Sequence, residues 1–381
     1  MARNAHADFT FAVGTPQFDA VHTWAVVRKT LTMYEQLRGA PLPWAWNTDC
    51  NTSEITVFPH AGETPNAYYS RSEKALKFFH FTPDPQSSPI FTCRSFDIVA
   101  HEAGHAVLDG LKPGWLSADA APQTGGLHEA FGDLTAIFLA LSQLDQAEAL
   151  ITISKANLHE RTFLSNLAEQ FGVGLGMPFG LRNADNDLTL REVGNEVHAI
   201  SQVFTGGIYD VLADIFAVEY DRQRISKDPA LILVEVAHRL ASLLLEGIIA
   251  APATGATYAD IINAMLTASM RRREPAVYRR YLRDRFALRE VVVSPTSLAD
   301  IIATGFAPAD VPSVDAEDVA SVERVDHTPS LRARQDRSTS CGTMQMPEYR
   351  VLSEGKLATG ESVGDDGLLA ADREKLAKAF A

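Results

Sequence analysis

The segment His101-Glu102-Ala103-Gly104-His105 sets two imidazoles four residues apart. On a helix that spacing puts both rings on one face, where they can share one metal ion. Glu102 falls about 60° around the helix from His105, close enough to take a proton from a water at that ion without being a ligand itself. A second constellation lies downstream. Leu127, Phe131, Leu134, Phe138 and Leu141 form one apolar helix face and leave Glu129 and Asp133 together on the opposite side, one turn apart. Catalytic zinc takes three protein ligands and keeps one position open. His101, His105 and Glu129 make that set, and Asp133 reads as the acceptor that orients a ligand imidazole. His128 competes as a ligand but points about 100° away from Glu129 on the same helix. A third histidine six residues after the second is absent, since position 111 is Leu111.

Elements must hold these residues in place. From Phe18 to Leu37, Val21, Trp24, Val27, Leu31 and Tyr34 recur at helical spacing, and Gly39 with Pro41 closes the pattern. Residues 54–91 alternate β-formers with turn residues and read as short strands. After Asp97 the pattern becomes helical, over roughly 97–111, 125–144, 155–170, 195–219, 228–250 and 257–287. Beyond about Val293 the chain is rich in Pro, Ser, Gly and mixed charge, with one short helical pattern over 372–380. The expected organisation is α+β: a mixed α/β lobe over 1–96, a helical metal-binding lobe over 97–292 and a weakly folded extension over 293–381.

The bulk numbers exclude several function classes. With 381 residues and 46% hydrophobic content the chain can bury a large core. A net charge of −14 disfavours nucleic acid and anionic membrane surfaces as partners. The longest apolar run, Leu240 to Ala251, is interrupted by Glu246, so no transmembrane helix is expected. The first residues lack the apolar stretch of a secretory signal, which makes the cytoplasm the expected compartment unless the chain is a mature or cropped form. Only Cys50, Cys93 and Cys341 occur, too few and too far apart for a disulfide framework or a cysteine zinc site.

Residues 97–107 and 125–133 together resemble the thermolysin-like zinc metallopeptidases, in which a His-Glu-x-x-His helix is followed by an Asn-Glu-Ala-x-x-Asp-like helix. Asn66-Ala67-Tyr68-Tyr69 is similar to the family's active-site edge strand, and the resemblance implies that Asn66 and Ala67 pair with substrate backbone. Val197-His198-Ala199-Ile200-Ser201, with Tyr209 beyond it, is similar to the helix that carries the transition-state histidine. Gly180-Leu181-Arg182 is similar to the pair that contacts the residue after the scissile bond, which implies a substrate role for Arg182 and an apolar pocket at Ile98 and Leu181.

The resemblance covers about residues 18–287 and implies a two-lobe fold with the zinc helix between the lobes, one zinc per chain, a peptide or protein substrate, and cleavage within the peptide. Departures are visible. The loop from Lys112 to Thr124 is longer than usual and lacks the family's oxyanion tyrosine, Trp115 lying nearby. Asp97 matches a calcium ligand whose partner is replaced by Ala140, so calcium is not expected and Asp97 reads as a helix N-cap. The acidic residue that orients the histidine is displaced, leaving Glu192 and Glu196 as substitutes. A zinc scaffold without peptidase activity and a hydrolase of non-peptide amides are the alternative readings; a base beside an open zinc position argues against the scaffold. The extension, with Cys341 in a polar stretch, is available to restrain such an enzyme, although a lone tail thiol reads first as an idle one.

Overall fold

In the computed structural model, residues 9–47, 54–117, 120–160, 162–168, 172, 174–176, 180–293 and 340–342 are described. Helix α1 spans Pro16–Arg38. Thr15 caps its start by accepting from Phe18 N–H, and Gly39, at φ 70°, ends it by turning left-handed. Three short strands follow, β1 (Thr56–Phe58), β2 (Ala67–Ser70) and β3 (Ala75–Phe78). Strands β2 and β3 pair antiparallel, and β1 runs parallel to β3. A small antiparallel pair, β4 (His80–Phe81) and β5 (Ile90–Phe91), leads into the first buried helix.

That helix, α2 (Phe96–Leu111), carries the two-histidine segment and is buried at every position from Ile98 to Gly110. Helix α3 (Pro122–Leu141) packs against it and is likewise buried over nearly all its length. The two approach closely because glycines face the contact. A Cβ on Gly104 would lie 2.7 Å from Thr135 Oγ1, and one on Gly132 would lie 2.6 Å from His101 Nδ1. Helix α4 (Leu144–Ser154) and a small pair of strands, β6 (Asn166–Leu167) and β7 (Arg182–Asn183), precede four more helices. These are α5 (Val197–Gln223), α6 (Pro229–Ala250), α7 (Tyr258–Arg271) and α8 (Ala276–Leu288). No single described helix is long and apolar enough to cross a membrane.

One hydrophobic cluster runs from Val26 and Val27 in α1 through the β2–β3 strands and α2 to Phe286 in α8. The N-terminal elements and the helices therefore share a core, and α2 lies within it. Strand β8 (Ser340–Gly342) returns from the C-terminal region and pairs antiparallel with β2, giving the order β1-β3-β2-β8. Strand β2, expected at an edge, is thus flanked on both sides among the described residues. Apart from these three residues, the expected extension and its 372–380 helix lie outside the described residues.

Three expectations are corrected. Residues 155–168 do not form a helix: Lys155 and Ala156 take φ 53° and 64°, which stops α4, and the chain turns into β6. The pattern over 257–287 is two helices, broken where Arg273 takes φ 56° and Pro275, which has no N–H to give, begins the next. Asp97 is not the N-cap of α2. Ser95 holds that position, and the Asp97 carboxylate inside the first turn accepts from Ile98 N–H and from Ala168 N–H across the gap.

Candidate metal centre

His101 and His105 project from one face of α2 with ring centroids 4.5 Å apart and planes at 87°. Helix α3 delivers Glu129 opposite them. His101 Nε2 lies 3.5 Å from Glu129 Oε2, and His105 Nε2 lies 3.8 Å from Glu129 Oε1. These separations are long for hydrogen bonds. They suit ligands around one ion, because bonds of 2.0–2.1 Å at tetrahedral angles leave ligand atoms about 3.3–3.4 Å apart. All three residues are buried, and among the described residues His101 Nε2 has no hydrogen-bond partner. The donor set of two imidazoles and a carboxylate therefore fits zinc.

Glu102 also offers an oxygen within 4.8 Å of ligand nitrogens of both histidines, so distance alone does not choose between the two carboxylates. Their other contacts do. Glu102 is held from the strand side, its Oε2 accepting the Tyr69 backbone N–H at 2.9 Å. Glu129 meets the two Nε2 atoms with one oxygen each. The strand that holds Glu102 is itself tied to α2. Tyr69 Oη donates to Asp109 Oδ2 at 2.7 Å, and Arg71 grips the same carboxylate through two nitrogens.

Behind His101 stands Asp133, whose Oδ1 is 2.9 Å from His101 Nδ1. Arg182 in β7 is buried rather than exposed, and its fork donates to both Asp133 oxygens at 2.9 and 2.5 Å. The sequence pattern gave no sign of this link between β7 and α3. His198, near the start of α5, places Nε2 3.4 Å from Glu129 Oε2. Its Nδ1 is 2.7 Å from Glu196 Oε1. Of the two acidic residues considered for that post, Glu196 occupies it and also caps α5 through Ala199 N–H. Glu192 instead closes a turn at Thr189.

The charges of the cluster follow from this packing. Burial opposes protonation of His101, but the carboxylates of Asp133 and Glu129 outweigh it and raise the ring to about 9. Burial drives His105 well below the usual imidazole value and takes His128 down to about 4. Burial also works against ionised Glu129, yet His198, His105 and His101 together hold it well below the usual carboxylate range. His198 is raised because Glu129 and Glu196 overcome its burial. A buried acid pair ringed by imidazoles is an environment that a divalent cation suits.

The remaining candidates lie beside this centre. Asn66 is buried and turns its Oδ1 onto Ala67 N–H at 2.8 Å, at the start of β2. Ala67 pairs with Phe78 on the β3 side. Trp115 is turned away from the site, donating its indole N–H to Pro252 O at 3.0 Å. Tyr209 likewise points elsewhere and bonds Leu158 O.

No model of a known protein family matches the sequence, and no curated protein does. Among solved structures the chain is similar to the precursor of protealysin, a metalloproteinase from Serratia proteamaculans. The TM-score is 0.50 and the identity 12%, over 75% of this chain and 81% of that chain. At that identity the likeness is one of fold, and it agrees with a helix-rich α+β chain.

Proposed function

We propose that the chain is a zinc-dependent peptidase that hydrolyses internal peptide bonds, with His101, His105 and Glu129 holding the metal. The observation that carries this reading is the convergence of three buried ligand groups at 3.5 and 3.8 Å, with a fourth group, Glu102, held beside them by a strand amide. Zinc at such a site supplies Lewis acidity, polarising the scissile carbonyl and lowering the pKa of a water. Glu102 takes the proton from the attacking water and passes it to the leaving amine. His198, whose imidazole the carboxylates of Glu129 and Glu196 raise against its burial, donates to the oxygen on which negative charge develops. Asp133, itself fixed by Arg182, holds His101 in the tautomer that turns Nε2 to the metal.

A substrate would lie extended along β2 on the side where β8 pairs, taking the place of that strand, with Asn66 and Ala67 at the start of β2. Arg182 acts in this reading first through Asp133, and contact with the residue after the cut is its second role. In this reading Ile98, which lines a small cavity with His101 and Arg182, would form the apolar wall for that residue together with Leu181.

Metal analysis with turnover of a quenched peptide library tests the assignment. The wild-type chain should bind one zinc. Glu129→Ala should lose most of it, while Glu102→Gln keeps the metal and loses turnover. Equal zinc loss in both variants would show that Glu102 is a ligand and not the base.

A further inference from the structure

We infer that Arg71 is a positioning residue for Glu102: it clamps the end of β2 onto the last turn of α2 and so keeps the Tyr69 amide against the base. The inference rests on the reading above for the role of Glu102 and on geometry for the clamp. Glu102 and Asp109 stand two turns apart on one face of α2, and both carboxylates are turned to β2. Tyr69 is thereby held at both ends. Its backbone N–H donates to Glu102 Oε2 at 2.9 Å, and its hydroxyl donates to Asp109 Oδ2 at 2.7 Å.

Asp109 is fully buried, and a carboxylate out of water needs both a countercharge and donors. Arg71 supplies both. Residues 69 and 71 lie two apart, so the extended chain turns both side chains to the same face, where they converge on Asp109. The Arg71 Nε donates to Asp109 Oδ2 at 2.8 Å and its Nη2 to Oδ1, a two-point grip that matches the shape of a carboxylate. The same Nη2 donates to Pro113 O at 2.7 Å, on the segment that leaves α2. One guanidinium therefore joins the end of β2, the last turn of α2 and the start of the loop toward α3.

Arg71 touches neither the ligand cluster nor the base, and its effect passes through the strand. The Tyr69 N–H sets where Glu102 Oε2 rests, and that N–H goes where β2 goes. Without Arg71 the Asp109 carboxylate keeps the Tyr69 hydroxyl as its donor but loses its countercharge. The end of β2 is then free to draw back, and Glu102 loses its fixed setting. Proton transfer by a general base is sensitive to displacements of this kind. A clamp that served stability alone would alter the melting temperature and leave the turnover of the folded protein as it was.

The test compares Arg71→Gln and Arg71→Lys in the full chain, reading zinc content, kcat and amide hydrogen exchange at Tyr69. Arg71→Gln should keep its zinc, exchange the Tyr69 amide several-fold faster and lose about 10–100-fold in kcat. Arg71→Lys, which keeps the charge without the fork, should fall between it and the wild type, and it carries the comparison if the glutamine variant does not fold. Combined with Glu102→Gln, Arg71→Gln should lower the residual turnover no further, because the base that it positions is already gone. An equal fold-loss in both backgrounds overturns the inference and leaves Arg71 a prop of the fold. Unchanged kcat and unchanged Tyr69 exchange in a folded Arg71→Gln overturn it as well. A wild-type chain that cleaves no peptide removes the proposed function, and Tyr69 exchange then decides the clamp alone: faster in Arg71→Gln upholds it, unchanged overturns it.

Discussion

The proposed chemistry rests on side chains that the sequence singles out and the fold brings together. His101, His105, Glu102, Glu129 and Asp133 were legible because helical periodicity alone fixes which side chains share a face. Their partners were not. Arg182 reaches Asp133 from a two-residue strand 49 positions away, and Tyr69 gives its backbone N–H to Glu102, a contact no residue type signals. His198 was legible only through the resemblance of its segment to a helix carrying such a histidine, and its acceptor only as a choice between two glutamates. The position of His198 leads to a prediction. Its Nε2 stands 3.4 Å from Glu129 Oε2, at the rim of the ligand cluster. His198→Ala should lower kcat/KM by about 10²–10³-fold, the range for a lost oxyanion donor, while zinc content stays at the wild-type level. An unchanged kcat/KM would take the residue out of the mechanism.

Between residues and the whole molecule, the α2–α3 pair decides whether the ligands meet. Gly132 has an ordinary helical backbone, so its importance is one of space: a Cβ there would come within 2.6 Å of the His101 ring. Gly132→Ala should therefore displace His101, cutting zinc affinity more than it lowers the melting temperature of the metal-free protein. Zinc titration of the two proteins checks this, and unaltered affinity would mean that the helices can part without disturbing the ring. Among the elements, long periodic helices such as α2, α5 and α6 could be read from the sequence because each has an extended apolar pattern. Residues 155–168 could not. Their apolar residues fall at helix-like intervals, but the left-handed backbone at Lys155 and Ala156 is marked by no Gly or Pro in the sequence. The break at Pro275 was visible in principle and was overrun by the periodic pattern on both sides.

At the scale of the whole chain, the point of interest is where its far end goes. The sheet would expose β2 for peptide addition, but Ser340–Gly342 already pair there, Cys341 opposite Tyr69, whose N–H holds Glu102. The sequence marked Cys341 for its thiol, whereas the observed pairing runs through the backbone, which no residue type announces. Peptide substrates that add to the same side of β2 must displace β8. Replacing Ser340, Cys341 and Gly342 together by proline, which cannot donate to a ladder, should lower KM several-fold at unchanged kcat. Replacement by Ala, Val and Ala should leave KM alone, and equal KM in all three proteins would show that β8 does not lie in the substrate's path. A competitor carried on the same chain differs from a free inhibitor in one respect. Its local concentration is set by covalent connection, so dilution cannot relieve it: specific activity should stay level across protein concentrations, and only cutting or modifying the chain would release it for good.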